Sequence, residues 1–166
     1  MSEQHGRDRR LKGFENMGRV QAICISAEKG VVKKPVTGAS FRPEHGIVGD
    51  AHAGPWHRQV SLLPGESIEQ VRAMIPDLAD GAFAENVVIA GLDFTRLVVG
   101  ASVRLGREIE LEVTQVGKEC HRGCAIREIT GDCIMPREGV FCRVVTGGEL
   151  RPGDAAELLA AGVGRG

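Results

Sequence analysis

Hydrophobic and polar residues alternate most regularly between Ile109 and Val116. Ile109, Leu111 and Val113 fall on one face, and Glu110, Glu112 and Thr114 on the other. That alternation marks a strand with one face buried. Ser102–Leu105 pairs with it across a tight turn at Gly106-Arg107, which predicts a hairpin. Apolar, β-branched runs at Val20–Ser26, Arg58–Leu63, Asn86–Ala90 and Gly139–Thr146, with a shorter one at Ala155–Leu159, predict further strands. Pro64-Gly65, Gly91 and Gly147-Gly148 supply the turns between them. One segment has a helical period instead. Ile68, Val71, Met74 and Ile75 form a stripe that opens after Pro64-Gly65-Glu66-Ser67 and stops at Pro76. A weaker helical turn covers Cys124–Ile129. Short strands at roughly ten-residue spacing with one or two short helices predict a mainly β fold, a small closed or partly closed β-barrel.

Composition supports this reading and narrows the function. The 166 residues suit one domain. Twenty-three of them are Gly, which favours many short elements and tight turns over a helical bundle. Residues 1–16 are polar and carry almost no apolar side chains, which predicts a disordered tail. The folded domain is expected over 17–161, with a flexible end at 162–166. A net charge of −1 argues against a nucleic-acid or anionic-membrane partner. No apolar run is long enough to span a bilayer and no secretory leader is visible, so a cytoplasmic, reducing setting is the expectation. Four of the five cysteines, Cys120, Cys124, Cys133 and Cys142, cluster late in the chain. In a reducing setting such clustering suggests metal, cofactor or sulfur chemistry more than disulfides.

Three segments could carry chemistry. In Gly46-Ile47-Val48-Gly49-Asp50-Ala51-His52-Ala53-Gly54, followed by His57, Arg58 and Gln59, the residues Asp50, His52 and Arg58 offer an acceptor, a titratable ring and an anion clamp. The same residues would equally serve as turn caps in a glycine-rich connection. In Phe83-Ala84-Glu85-Asn86, the polar pair is either turn chemistry or places Asn86 to hold a loop or bond a heterocycle edge. The third segment runs from Gly117 through Cys120, His121, Arg122 and Cys124, and then from Gly131 through Cys133 and Cys142 to Arg143. Lys118, His121, Arg122 and Arg127 surround the C-x3-C pair with cations, which lower a thiol's pKa and favour the reactive thiolate. Such a pair suits a soft metal or sulfur transfer. Cys24 and Cys142 lie in apolar strands and are expected to be buried and inert. A structural zinc on Cys120, Cys124 and Cys133, with Cys142 or His121, is the alternative, although the spacings lack the usual C-x2-C knuckles.

Taken together and in this order, GIVGDAHAG…RQVSL, FAENVVIAG and GKECHRGC…GDCIMPREGVFCRVVTGGELRPGD resemble the MOSC domain, named after the carboxyl-terminal part of the molybdenum-cofactor sulfurases. The resemblance runs from Met17 to about Leu159 and is that of a stand-alone, bacterial-type, single-domain member. It implies a β-rich barrel and an association with the molybdenum cofactor, a pyranopterin dithiolene that carries molybdenum and a phosphate. Family members use a cysteine of this region to ligate molybdenum or to carry sulfur as a persulfide. Cys124 matches that position, with Cys120 second. Arg58, Arg122 and Lys118 become candidates for the cofactor's anionic groups, and Asp50, His52 and Asn86 are placed near it by motif. The pyridoxal-phosphate desulfurase domain of full sulfurases has no room in 166 residues, so pyridoxal phosphate is not expected on this chain. The extra amino-terminal β domain of the mitochondrial amidoxime reducing components is likewise not expected on this chain.

Three functions follow as expectations. The first is a carrier that takes sulfur from a cysteine desulfurase and delivers it to the molybdenum cofactor or a molybdoenzyme. The second is a molybdenum-dependent reductase of N-hydroxylated compounds, with Cys124 as metal ligand and His52 or Asp50 handling protons. The third is a non-catalytic module holding zinc.

Overall fold

Every predicted strand forms, and the continuity or alternation of each apolar run reports what covers it. A computed structural model describes residues 17–117 and 134–160. The hairpin is β7 (Ser102–Leu105) and β8 (Ile109–Val116), with Leu105 opposite Ile109 and Ser102 opposite Glu112. Val103, Leu105, Ile109, Leu111 and Val113 point inward and are buried, while the residues between them are half-exposed. The long strand β1 (Met17–Ile25), β5 (Val60–Pro64), β6 (Val87–Ala90), β9 (Val140–Thr146) and β11 (Ala155–Ala160) complete a closed cylinder. Its order is β11, β7, β8, β9, β5, β6, β1 and back to β11. Closure leaves these strands no free edge.

One side of the cylinder is covered on the outside as well. Helix α1 (Gly65–Met74) follows β5 directly and leads back to β6, which pairs parallel to β5 with Leu62 beside Val87. A parallel pair needs such a crossover. Because α1 covers β5 and β6, these strands are apolar on both faces, VSLLP and VVIA, with Val60, Leu62, Val87 and Ile89 inside the barrel and Leu63 and Val88 under the helix. A bulge in β1 between Val20 and Ala22 switches its facing: Val20 and Ile23 enter the barrel, while Ala22 and Cys24 join the outer cluster.

The structure departs from the sequence reading in three places. Met74 was expected on the buried stripe of α1 but is 64% exposed. At 3.6 residues per turn it lies about 120° around the helix from Ile68, whereas Ile75 returns to the packed side just after the helix ends. The short strands β2 (Lys34–Val36), β3 (Ala39–Arg42), β4 (Gly46–Ile47) and β10 (Gly148–Leu150) carried no signal. Of these, β10, β3 and β4 make a small second sheet, and β2 extends the large sheet beside β1. A short helix, α2 (Ile134–Glu138), precedes β9. The helical turn expected at Cys124–Ile129 lies outside the described residues, as do the two expected terminal segments.

The helix stripe is directly testable. Ile68→Ala should cost about 2–5 kcal/mol in urea unfolding, because it empties a buried site. Met74→Ala should stay within about 0.5 kcal/mol of the parent.

Candidate functional site

A cavity of about 190 Å³ opens where the chain enters β5. The approach to the strand contributes His52, Trp56 and Arg58, β5 itself contributes Ser61, and the loop before β6 contributes Ala84 and Asn86. Met135 of α2 and Phe141 of β9 complete the wall.

Arg58 is the cation of this cavity. Its guanidinium lies over the Trp56 ring at 4.7 Å and over the Phe141 ring at 5.7 Å. Aromatic faces hold an arginine through cation–π attraction without occupying its N–H donors. Its Nε is buried and has no hydrogen-bond partner among the described residues. Leaving a buried donor unsatisfied costs about 1–3 kcal/mol, and an anion entering the cavity would relieve that cost.

Asp50 sits behind the cavity wall and does not line it. Its side chain is fully buried and is paired with an equally buried lysine, Lys33, whose Nζ donates to Oδ1 at 2.6 Å. The same carboxylate accepts from the backbone N–H of Ser26 at 3.1 Å and of His52 at 3.2 Å. Lys33 Nζ lies 2.9 Å from Nδ1 of His52. The His52 ring stacks near Trp56, whose indole Nε1 donates to the His52 carbonyl at 2.7 Å. Asp50 therefore shapes the loop from beneath, and His52 faces the ligand space. His57, three residues before Val60, bonds Gln115 of β8 instead.

Asn86 is buried and holds the cavity floor. Its Oδ1 accepts from the backbone N–H of Ser61 at 3.0 Å and from the Ser61 hydroxyl at 3.3 Å, and its Nδ2 donates to the Cys24 carbonyl at 3.0 Å. One side chain thus ties β6 to both β5 and β1. Just before it, buried Glu85 accepts from the backbone N–H groups of Gly81 and Phe83 at 2.9 and 3.0 Å. Burial pushes the Glu85 carboxyl above its usual range, with the two backbone donors opposing the shift. The loop they hold puts Ala84, on the cavity wall, at a φ of 61°, a strained conformation for any residue with a side chain. Gly81 has a φ of 90°, and a Cβ there would stand 2.0 Å from the Lys33 carbonyl oxygen, so only glycine fits.

The cysteines divide in two. Cys24 is buried under α1, and burial, with the Glu85 and Asp80 carboxylates nearby, pushes its thiol up to about 12. Cys142 is buried inside the barrel, and burial likewise raises it far above the ordinary thiol range. Both are buried in apolar surroundings, as expected, Cys142 in the barrel interior. Among the described residues no group of three His, Cys, Asp or Glu side chains is arranged to hold a metal ion. Cys120, Cys124, Cys133, Lys118, His121, Arg122 and Arg127 lie outside the described residues. The chain on either side of them is firmly held. The Gly117 N–H donates to the Gly139 carbonyl at 2.7 Å, and a Cβ on Gly117, at φ 70°, would meet the Pro136 carbonyl oxygen at 2.5 Å. Met135, two residues after Cys133, lines the cavity.

Three of the expected residues, His52, Arg58 and Asn86, therefore meet at one cavity. Sequence reasoning missed Trp56, Ser61, Met135 and Phe141 as wall residues and Lys33 as the partner of Asp50. The single tryptophan two residues before Arg58 was a usable signal. Lys33, 17 residues before Asp50 in an unremarkable Val-Val-Lys-Lys run, offered none.

Among the described residues the fold is a closed β-barrel with an arginine-bearing cavity beside its parallel β5–β6 pair. The chain belongs to the MOSC domain family, whose sequence model matches residues 49–157. The family is related to the molybdenum cofactor sulfurases. The chain is 25% identical over 161 residues to the uncharacterized protein YflK of Bacillus subtilis, covering 89% of this chain and 72% of that one. It is 27% identical over 153 residues to a protein named Reductase from Gibberella moniliformis. That match takes in 80% of this chain and only 27% of the fungal protein. Among solved structures, YuaD from Bacillus subtilis is similar with a TM-score of 0.69 at 19% identity, covering 85% of this chain and 94% of that one. YiiM from Geobacillus stearothermophilus is similar with a TM-score of 0.64 at 19% identity, covering 89% and 77%. These structural likenesses bear on the fold. No helix of the described residues is long and apolar enough to cross a membrane.

Two measurements check the site's construction. Asn86→Ala should destabilise the protein by roughly 2–5 kcal/mol in urea unfolding, since it strands buried groups of Ser61 and Cys24 at about 1–3 kcal/mol each. Cys24 and Cys142 should resist iodoacetamide at pH 8 in the folded protein and react once it is unfolded, as peptide mapping would show.

Proposed function

We propose that this protein binds the molybdenum cofactor at the Arg58 cavity and carries sulfur as a cysteine persulfide for delivery to the molybdenum centre. The observation that supports the reading most strongly is Arg58, a cation steadied by two aromatic rings, whose buried Nε has no partner among the described residues. That donor set fits the phosphate of such a cofactor, which guanidinium groups bind through paired N–H donors. Arg58 would hold the anionic end, while Ser61 and Asn86 keep the floor in place and Trp56 and Phe141 supply flat walls. When bound, the cofactor supplies a molybdenum centre able to take a terminal sulfur.

Cys124 is the proposed sulfur acceptor, with Cys120 as its neighbour; both assignments come from the family resemblance. The Cys124 thiolate attacks the outer sulfur of a cysteine desulfurase's persulfide. A new S–S bond forms on Cys124, the donor's S–S bond breaks, and the donor cysteine leaves as a thiolate with no net oxidation. Lys118 and Arg122, close in sequence, would favour the thiolate. The cysteine segment leaves the described chain at Gly117 and rejoins it one residue before Met135, which lines the cavity.

A second reading is favoured by the relative named Reductase: a molybdenum-dependent reductase acting on N-hydroxylated compounds, with Cys124 as metal ligand. Turnover of an N-hydroxylated substrate by cofactor-loaded protein and an electron donor would select it.

Incubation with a desulfurase and cysteine should add about 32 Da, one sulfur, to Cys124 or Cys120 by mass spectrometry. No adduct on either would overturn the carrier role. Protein made in a cofactor-competent host should retain pterin and molybdenum, and Arg58→Gln should weaken that binding about 10- to 100-fold, the loss of a charge-assisted contact.

A further inference from the structure

Lys33 is an unusual neighbour for a ligand cavity. It lies in no motif, its side chain is 1% exposed, and its ammonium is shared between two groups of the glycine-rich loop. On one side it meets Asp50 Oδ1 at 2.6 Å, and on the other His52 Nδ1 at 2.9 Å. The backbone around it is fixed too, since the Lys33 N–H donates to the Gly81 carbonyl at 3.0 Å, in the loop that carries Ala84 and Asn86.

The chemistry of the contact decides the state of the imidazole. An ammonium has three N–H donors and no acceptor. A ring nitrogen 2.9 Å from it must therefore offer a lone pair, which leaves the ring proton on the other nitrogen. Asp50 cannot take the role of direct acceptor from Nδ1, because its nearer oxygen stands 4.0 Å away and is already engaged by the His52 backbone N–H. The carboxylate acts on the ring through the lysine.

We propose that Lys33 is a positioning residue: held by Asp50, it donates to Nδ1 of His52 and fixes the imidazole with its proton on Nε2. The ring so oriented lines the cavity beside Arg58, where a ligand carrying a phosphate-type anion would sense it. The role of His52 toward a ligand rests on the anion-binding reading of the cavity; the tautomer assignment does not. The arrangement also explains why a lysine and an aspartate are buried together behind the wall instead of an apolar pair. The pair is neutral in sum yet presents a donor to the ring.

Nitrogen-15 NMR of the full chain tests both parts. At pH 7 the His52 Nδ1 should resonate as an unprotonated nitrogen and Nε2 as a protonated one. Lys33→Met combined with Asp50→Asn removes both charges together, and the His52 Nδ1 resonance should then move toward that of a ring nitrogen with no ammonium donor. Inorganic phosphate should shift the His52 Nε2–H resonance of the wild-type chain, and Arg58→Gln should abolish that shift. A proton on Nδ1 in the wild type, or an unchanged Nδ1 resonance in the folded double variant, overturns the role of Lys33. The wild-type spectrum decides the tautomer even where the double variant fails to fold. A correct tautomer with no response to phosphate overturns the anion reading while leaving the Lys33 assignment standing.

Discussion

The cavity depends on one side chain, that of Asn86, at the junction of three strands. Buried backbone groups need partners, and at this junction backbone bonds supply only some of them, from the Asn86 N–H to the Ser61 carbonyl and from the Cys24 N–H to the Asn86 carbonyl. Asn86 fills the gap by accepting from Ser61 and donating to Cys24, which joins β6 to β5 and β1 at once. Its backbone N–H also donates to the Ser61 hydroxyl oxygen at 3.0 Å. Ser61 and Asn86 are thus held rigidly enough to be a floor. The strained Ala84 and the Glu85-capped loop are bearable because this junction anchors the chain immediately after them.

Above that floor, polarity is distributed sparingly. Aromatic rings steady Arg58 where carboxylates could have done so, and its buried Nε has no hydrogen-bond partner among the described residues. Asp50 is spent on Lys33 and the loop backbone, so its charge is balanced behind the wall. The cavity consequently presents a cation and an imidazole without a competing carboxylate among its described walls. That bias is local: a chain with a net charge of −1 has no general attraction for anions.

The sequence was most legible where structure is local. The alternation of Ile109–Val116 specified one strand of a hairpin; the turn takes three residues, Gly106 to Glu108, instead of two, and so puts Leu105 opposite Ile109 with both apolar faces inward. The β10–β3–β4 sheet was silent because strands of two to four residues are too short for a period to emerge. Met74 shows the opposite failure. An apolar residue near a helical stripe was read as buried, although its angle about the helix axis already pointed it to solvent.

The site followed the same division. Residue types alone marked His52, Arg58 and Asn86, because glycine-rich turns with a cation and a ring, and a polar pair entering an apolar strand, are locally visible. Their separate roles were not visible. Only the tertiary structure put Trp56 and Phe141 on either side of Arg58, buried Asp50 out of reach of the cavity and brought Lys33 to His52. The physical reason is that periodicity and turn chemistry are short-range properties of the chain. The protonation state and pairing of a buried group are set instead by whichever side chains the closed barrel brings within about 3 Å, however far apart they lie in sequence.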